Sequence, residues 1–121
     1  MRIAVTGTHG VGKTTLIDDF VEVHRGYQSV PEPYWELTEQ GALFSDEPSV
    51  ESFQEQLEQS LVSILSLASE PNILFDRCPL DFIAYLDVLG GSRDDDGIVW
   101  ERWLPRIEAA LATLSRAISA G

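Results

Sequence analysis

"GTHGVGKTT", residues 7–15, decides the fold. Gly7, Gly12, Lys13 and Thr14 fit the spacing G-x-x-x-x-G-K-[ST] without a departure. Such a loop aims successive backbone N–H groups at one anion, which demands unusual torsions and close approach. Glycine allows both. The helix expected to follow adds its free N–H groups and its dipole at the same spot. Lys13 brings a mobile point charge for the β- and γ-phosphates of a nucleotide. The Thr14 hydroxyl can take one place on a Mg²⁺ that also binds phosphate oxygens. Four restricted positions arise by accident in roughly one chain of this length in a few hundred. Lys13 is also the only lysine in the chain, every other Lys or Arg being Arg. A glycine turn without a ligand does not explain why that lysine falls in the loop. Gly7, Thr8, His9, Gly10, Val11, Gly12, Lys13, Thr14 and Thr15 are thus the expected nucleotide site, with no chemical role for the His9 side chain.

Outward from the loop, "RIAVT" at 2–6 is a short apolar strand, and 13–25 carries Leu16, Ile17, Phe20, Val21 and Val23 at mostly helical spacing. "YQSV" at 27–30 reads as a second strand, stopped by Pro31 and Pro33. Residues 34–48 read as a short helix and a loop around "SDEP". Residues 49–69 read as a helix capped by Ser49, with Phe53, Leu57, Leu61, Ile64, Leu65 and Ala68 on one stripe. "NILFD" at 72–76 is continuous and apolar, as a strand buried on both faces must be. A helix over 80–89 and a solvated loop, "GGSRDDDG", at 90–97 follow. The segment 98–119 reads as one helix carrying Trp100, Trp103, Leu104, Ile107, Leu111, Leu114 and Ile118, with Pro105 kinking it or starting its main part.

Alternating strands and helices imply an α/β fold: a P-loop NTPase three-layer sandwich with a parallel sheet and right-handed crossovers. Doubly wound sheets usually have five or more strands, and this reading finds only three. Residues 1–121 are accordingly expected to be the N-terminal portion of one such domain. A fourth strand, pairing beside the first, is expected after Gly121, together with a lid.

Bulk properties narrow the function. The 121 residues are 44% hydrophobic, enough for a core, and carry a net charge of −12 from 8 basic and 20 acidic side chains. That balance speaks against nucleic-acid and anionic-membrane surfaces, which need clustered Lys and Arg. Cys78 is the lone cysteine, so no disulfide within the chain and no Cys-rich zinc site can form. "MRIAVTG" is too short for a signal peptide, and no apolar run approaches a membrane span. A cytoplasmic location is the expectation.

Ligands of open α/β sheets sit at the carboxyl ends of the strands. After the second strand comes "PEPYWEL", 31–37; the third runs into "DRCPLD", 76–81. Asp76 ends its strand beside the P-loop, where a carboxylate holds Mg²⁺ directly or through water; an acidic strand end without metal is the alternative. Arg77 can neutralise charge on a transferring phosphoryl group or hold the acceptor, or simply pair with Asp76 or Asp81. Glu32, mounted between two prolines, can accept the proton of an attacking hydroxyl. Tyr34 and Trp35 either stack on a flat ring or serve as packing.

"GTHGVGKTT", "VPEPYWEL" and "ILFDRCPLDFIAYL", in this order, resemble the deoxynucleoside kinase family, above all its herpesvirus-type thymidine kinase branch. The same blocks resemble a family of small bacterial P-loop proteins described only as AAA-like ATPases or kinases. The kinase resemblance implies ATP and Mg²⁺ as cofactors and a small-molecule, nucleoside-like acceptor. It implies catalytic roles for Glu32, Arg77 and Lys13, metal binding by Thr14 and Asp76, and an acceptor pocket shaped by the aromatic after Glu-Pro, Tyr34 or Trp35. A Gln on the following helix would read the base, with Gln54, Gln56 and Gln59 as candidates. Trp35 follows Glu-Pro after a shorter spacer than in the kinases, and Arg93, Arg102, Arg106 and Arg116 do not form the kinase lid pattern. Two other readings stay open: a P-loop ATPase or switch acting on a protein partner, and a non-catalytic nucleotide binder. The assembly is open too, a homodimer among the alternatives.

Overall fold

The structure is a computed structural model that describes residues 1–7, 12–42, 49–90 and 100–119. Its elements run β1 (Arg2–Thr6), α1 (Lys13–Val23), β2 (Gln28–Val30), α2 (Pro33–Glu39), α3 (Val50–Ser66), β3 (Ile73–Asp76), α4 (Pro79–Gly90), α5 (Trp100–Ala112) and β4 (Arg116–Ser119). The four strands form one sheet in the order β2-β3-β1-β4, every neighbouring pair parallel. The expected α/β architecture is present.

Strand alternation sorts the core into two layers. Ala4, Ile73 and Phe75 face α3, α4 and α5, where they meet Leu57, Leu61, Ile64, Phe82, Leu86 and Ile107. Ile3, Val5 and Leu74 face the other way and pack on Ile17 of α1, with Phe20, Val21 and Tyr27 around them. A sheet covered on both faces explains why β1 and β3 read as unbroken apolar runs. The Ser49 side chain accepts a hydrogen bond from the Ser52 N–H and caps α3 as expected. The α3 stripe is buried at Leu57, Leu61 and Ile64, while Ala68 falls beyond the helix end. The expected loops around "SDEP" and at 91–97 lie outside the described residues.

The single helix expected over 98–119 ends at Ala112, and the fourth strand falls inside the chain as β4. Leu114 and Ile118 are four apart and so mimic a helical stripe. The free edge of β1 decides otherwise: its N–H and C=O groups are satisfied when residues 116–119 pair with Ile3–Thr6. Ser115 fixes the entry, its N–H bonding the Arg2 carbonyl at 2.6 Å and its hydroxyl accepting from the Arg2 N–H at 3.0 Å. The strand expected beside the first after Gly121 is therefore supplied by residues 116–119. Pro105 lies inside α5 and does not start it.

Arg2 staples the end of the sheet opposite the P-loop. Its buried guanidinium donates to the carbonyls of Ile64 (2.9 Å), Glu70 (3.0 Å), Thr113 (3.0 Å) and Leu67. A cation at the C-terminus of α3 also complements the helix dipole. Removing it orphans buried carbonyls, so Arg2→Ala is expected to lower stability by about 3 kcal/mol. The check is urea unfolding, where the midpoint should fall at unchanged slope.

Candidate functional site

The P-loop starts and ends on glycines with positive φ, Gly7 at 146° and Gly12 at 81°. An L side chain is strained at either torsion, which is why the motif spends glycine there. Gly12 is the N-cap of α1, and its carbonyl accepts from the Leu16 N–H at 3.0 Å. Lys13 and Thr14 thus open the first turn. Thr8, His9, Gly10 and Val11 lie outside the described residues.

Four charged side chains converge behind that turn. Lys13, Glu32, Asp76 and Arg77 expose only 3, 4, 6 and 7% of their surface. Strand order brings them together: β3 lies between β1 and β2, so Asp76 stands between the P-loop and Glu32. The Lys13 ammonium bonds Glu32 Oε1 at 2.5 Å and also contacts Asp76 Oδ1. The Thr14 hydroxyl lies 3.3 Å from Asp76 Oδ2. Glu32 is the N-cap of α2 with Pro33 at N1, so the rigid mount read from the sequence is the start of a helix.

Arg77 adopts a φ of 106°, strained for a residue with a side chain, at a typical cost of about 1–3 kcal/mol. Its guanidinium donates to the Gly7 carbonyl at 2.7 Å and meets the Tyr85 hydroxyl at 3.0 Å, Glu32 Oε1 at 3.4 Å and Asp81 Oδ2 at 3.7 Å. It therefore ties the entry of the P-loop to β3, α2 and α4. Asp81, pushed up by burial, is held back by the Cys78 N–H, Arg77 and Lys13. Sequence reading assigned nothing to Tyr85, although Asp81 and Tyr85 stand one helical turn apart beside Arg77, a spacing that signals one face.

A cleft of about 330 Å³ opens against this cluster, lined by Thr14, Ile17, Asp18, Ser29, Val30, Pro31, Glu32, Trp35 and Asp76. Trp35 is half exposed at its rim, its ring edge-on to Tyr34 at 5.0 Å. The glutamines are elsewhere. Gln54 and Gln59 line a separate groove with Leu37, Glu58 and Trp103, and Gln56 is buried and bonded to Ser52. The structure brings Trp35 to Glu32 and leaves Gln54 on the far side of α2.

Glu36, one turn after Glu32, is pushed up by burial, held back by hydrogen bonds from Ser63 (3.1 Å) and Gln59 (3.5 Å), and raised further by Glu39. A carboxyl raised in the folded state binds its proton more tightly there, so folding weakens as pH rises through that range. Glu36→Gln is therefore expected to be more stable than the parent at neutral pH. The difference should fade as pH falls towards the ordinary glutamate value of 4.5. Melting curves across that range check it.

The residues present fit a nucleotide with Mg²⁺. Among the described residues no group of three or more His, Cys, Asp or Glu could hold a metal ion alone. Thr14 with one carboxylate, completed by phosphate oxygens and water, is the way Mg²⁺ usually binds. Among the described residues no helix is long and apolar enough to cross a membrane. No curated protein matches the chain. Residues 2–112 match the family described as AAA domain, a span that takes in the P-loop, Glu32, Asp76 and Arg77. Over that length the chain belongs to the AAA domain family.

Proposed function

We propose that this chain binds ATP with Mg²⁺ and transfers the γ-phosphoryl group to a hydroxyl of a small, nucleoside-like acceptor. The observation that carries the reading is the Lys13 ammonium held between two buried carboxylates, Glu32 and Asp76. A phosphate engaged by Lys13 lies within a few ångströms of both. Asp76 and Thr14 would hold Mg²⁺, which would supply screening of the phosphate charge, and Glu32 remains to act on the attacking group. The acceptor oxygen forms its bond to the γ-phosphorus as the bond to the bridging oxygen of ADP breaks. Its proton goes to the Glu32 carboxylate. Arg77 braces Glu32 and the Gly7 carbonyl, and its charge lies beside the transferring group. The cleft beside Glu32 has room for an acceptor, and Trp35 offers it an aromatic wall.

Membership of the AAA domain family favours a second reading, in which Glu32 orients water and the protein hydrolyses ATP in the service of a protein partner. Product analysis with γ-labelled ATP separates the two. Label in an organic phosphate ester supports transfer. Label released only as inorganic phosphate, with every nucleoside tried, supports hydrolysis.

A further inference from the structure

We infer that the acceptor carries a positively charged nitrogen, and that Asp18 and Trp35 are the residues that select it. This rests on the reading of the cleft as the acceptor site. Among the described residues that line it, Asp18, Glu32 and Asp76 are carboxylates and none is Lys, Arg or His. The two at its floor are buried against Lys13. Asp18 is different. It lies on the exposed side of α1, one turn beyond Thr14, and no cation among the described residues pairs with it.

Thr14, Ile17 and Asp18 fall on one helical face and form one wall of the cleft. Trp35 contributes an exposed aromatic ring to the same cleft. A carboxylate and the face of an indole together are the chemistry that recognises an ammonium group, by charge and by cation–π attraction. The Ser29 hydroxyl adds a donor and acceptor at the rim.

The charge pattern also excludes a class. An acceptor that already bears a phosphate needs cations of its own. Among the described residues the cations near the site are Lys13 and Arg77, which pair with its carboxylates and which the proposed reaction assigns to the phosphates of ATP. A phosphorylated acceptor entering this cleft meets three carboxylates and, among the described lining residues, no cation of its own. A hydroxylated amine, such as an amino sugar or an amino alcohol, meets a complementary field. Asp18 is exposed while Glu32 is buried against Lys13, so Asp18 can hold the amine while Glu32 takes the hydroxyl proton.

The test uses matched acceptors that differ in charge, titrated calorimetrically into the protein loaded with Mg²⁺ and a non-hydrolysable ATP analogue. One set is glucosamine, glucose and glucose 6-phosphate; the other is choline and its neutral isostere 3,3-dimethylbutanol. The cationic member of each set is expected to bind about tenfold or more tightly than the neutral one, with glucose 6-phosphate weakest. Asp18→Asn should erase that preference and leave the neutral compounds unaffected, and Trp35→Leu should reduce it. Equal binding of cationic and neutral members overturns the inference, as does a preference that survives Asp18→Asn. So does an absence of binding by both glucosamine and choline. If the preference holds while labelled phosphate reaches only water, the transfer reading fails and the amine site stands.

Discussion

Glu32→Gln is expected to retain ATP affinity and to lose about 10²–10⁴ in phosphoryl transfer, the usual contribution of a general base. The amide keeps the shape of the side chain and the start of α2, where Glu32 is the N-cap without a side-chain capping bond. The fold around it should therefore survive. What the amide lacks is a place for the proton of the attacking hydroxyl. It also releases Lys13 from one of its two carboxylates, which leaves the ammonium freer to meet phosphate. ATP binding should thus be unchanged or slightly tighter while turnover collapses. Calorimetry and γ-label transfer read the two effects separately. Turnover within a factor of about three of the parent would remove Glu32 from the chemistry, since a base contributes far more than that.

Lys13→Ala is expected to act twice. Loss of a charge-assisted contact to phosphate weakens ATP binding by about 1.5–3 kcal/mol, roughly ten- to a hundredfold. The structure adds a second effect that the motif does not announce. Lys13 bridges Glu32 and Asp76, all three almost wholly buried. Removing the cation leaves two buried carboxylates side by side with Arg77, 3.4 Å from Glu32, to offset them, and breaking a buried pair typically costs about 3–5 kcal/mol. The single variant should therefore melt well below the parent. Lys13→Ala combined with Glu32→Gln removes one of the two adjacent negative charges and should recover part of the stability without recovering ATP affinity. A double-mutant cycle on unfolding free energies measures that coupling. If Lys13→Ala melts with the parent, the buried bridge contributes nothing. If its ATP affinity equals the parent's, the loop 7–15 is not the phosphate site.

Much of this protein is settled locally and is legible as such. Gly7 and Gly12 declare torsions that only glycine takes easily, and Lys13 and Thr14 declare a helix start aimed at an anion. The runs Ile3–Val5 and Ile73–Phe75 declare strands covered on both faces, because no alternation with polar residues interrupts them. Ser49 declares the start of α3 through a bond three residues long. Each of these depends on neighbours in sequence, so a short stretch contains the whole cause.

The rest depends on which strand lies beside which. Lys13 is 19 residues from Glu32 and 63 from Asp76, and nothing local says that one ammonium bridges both. Placing β3 between β1 and β2 makes that bridge, because three parallel strands then end side by side. Leu114 and Ile118 satisfy a helical period, yet the unpaired edge of β1 draws residues 116–119 into the sheet, since backbone hydrogen bonds left open along a core strand outweigh a weak helical preference. Trp35 and Gln54 both look like acceptor residues in sequence. Only the docking of α2 against α3 through Glu36, Ser63 and Gln59 puts Trp35 at the cleft and Gln54 in a different groove. The sequence by itself determined the P-loop motif and the strand and helix that flank it. Tertiary structure decided which charges share a cavity, because distances across a sheet are set by strand order and helix docking, and residue spacing along the chain does not encode them.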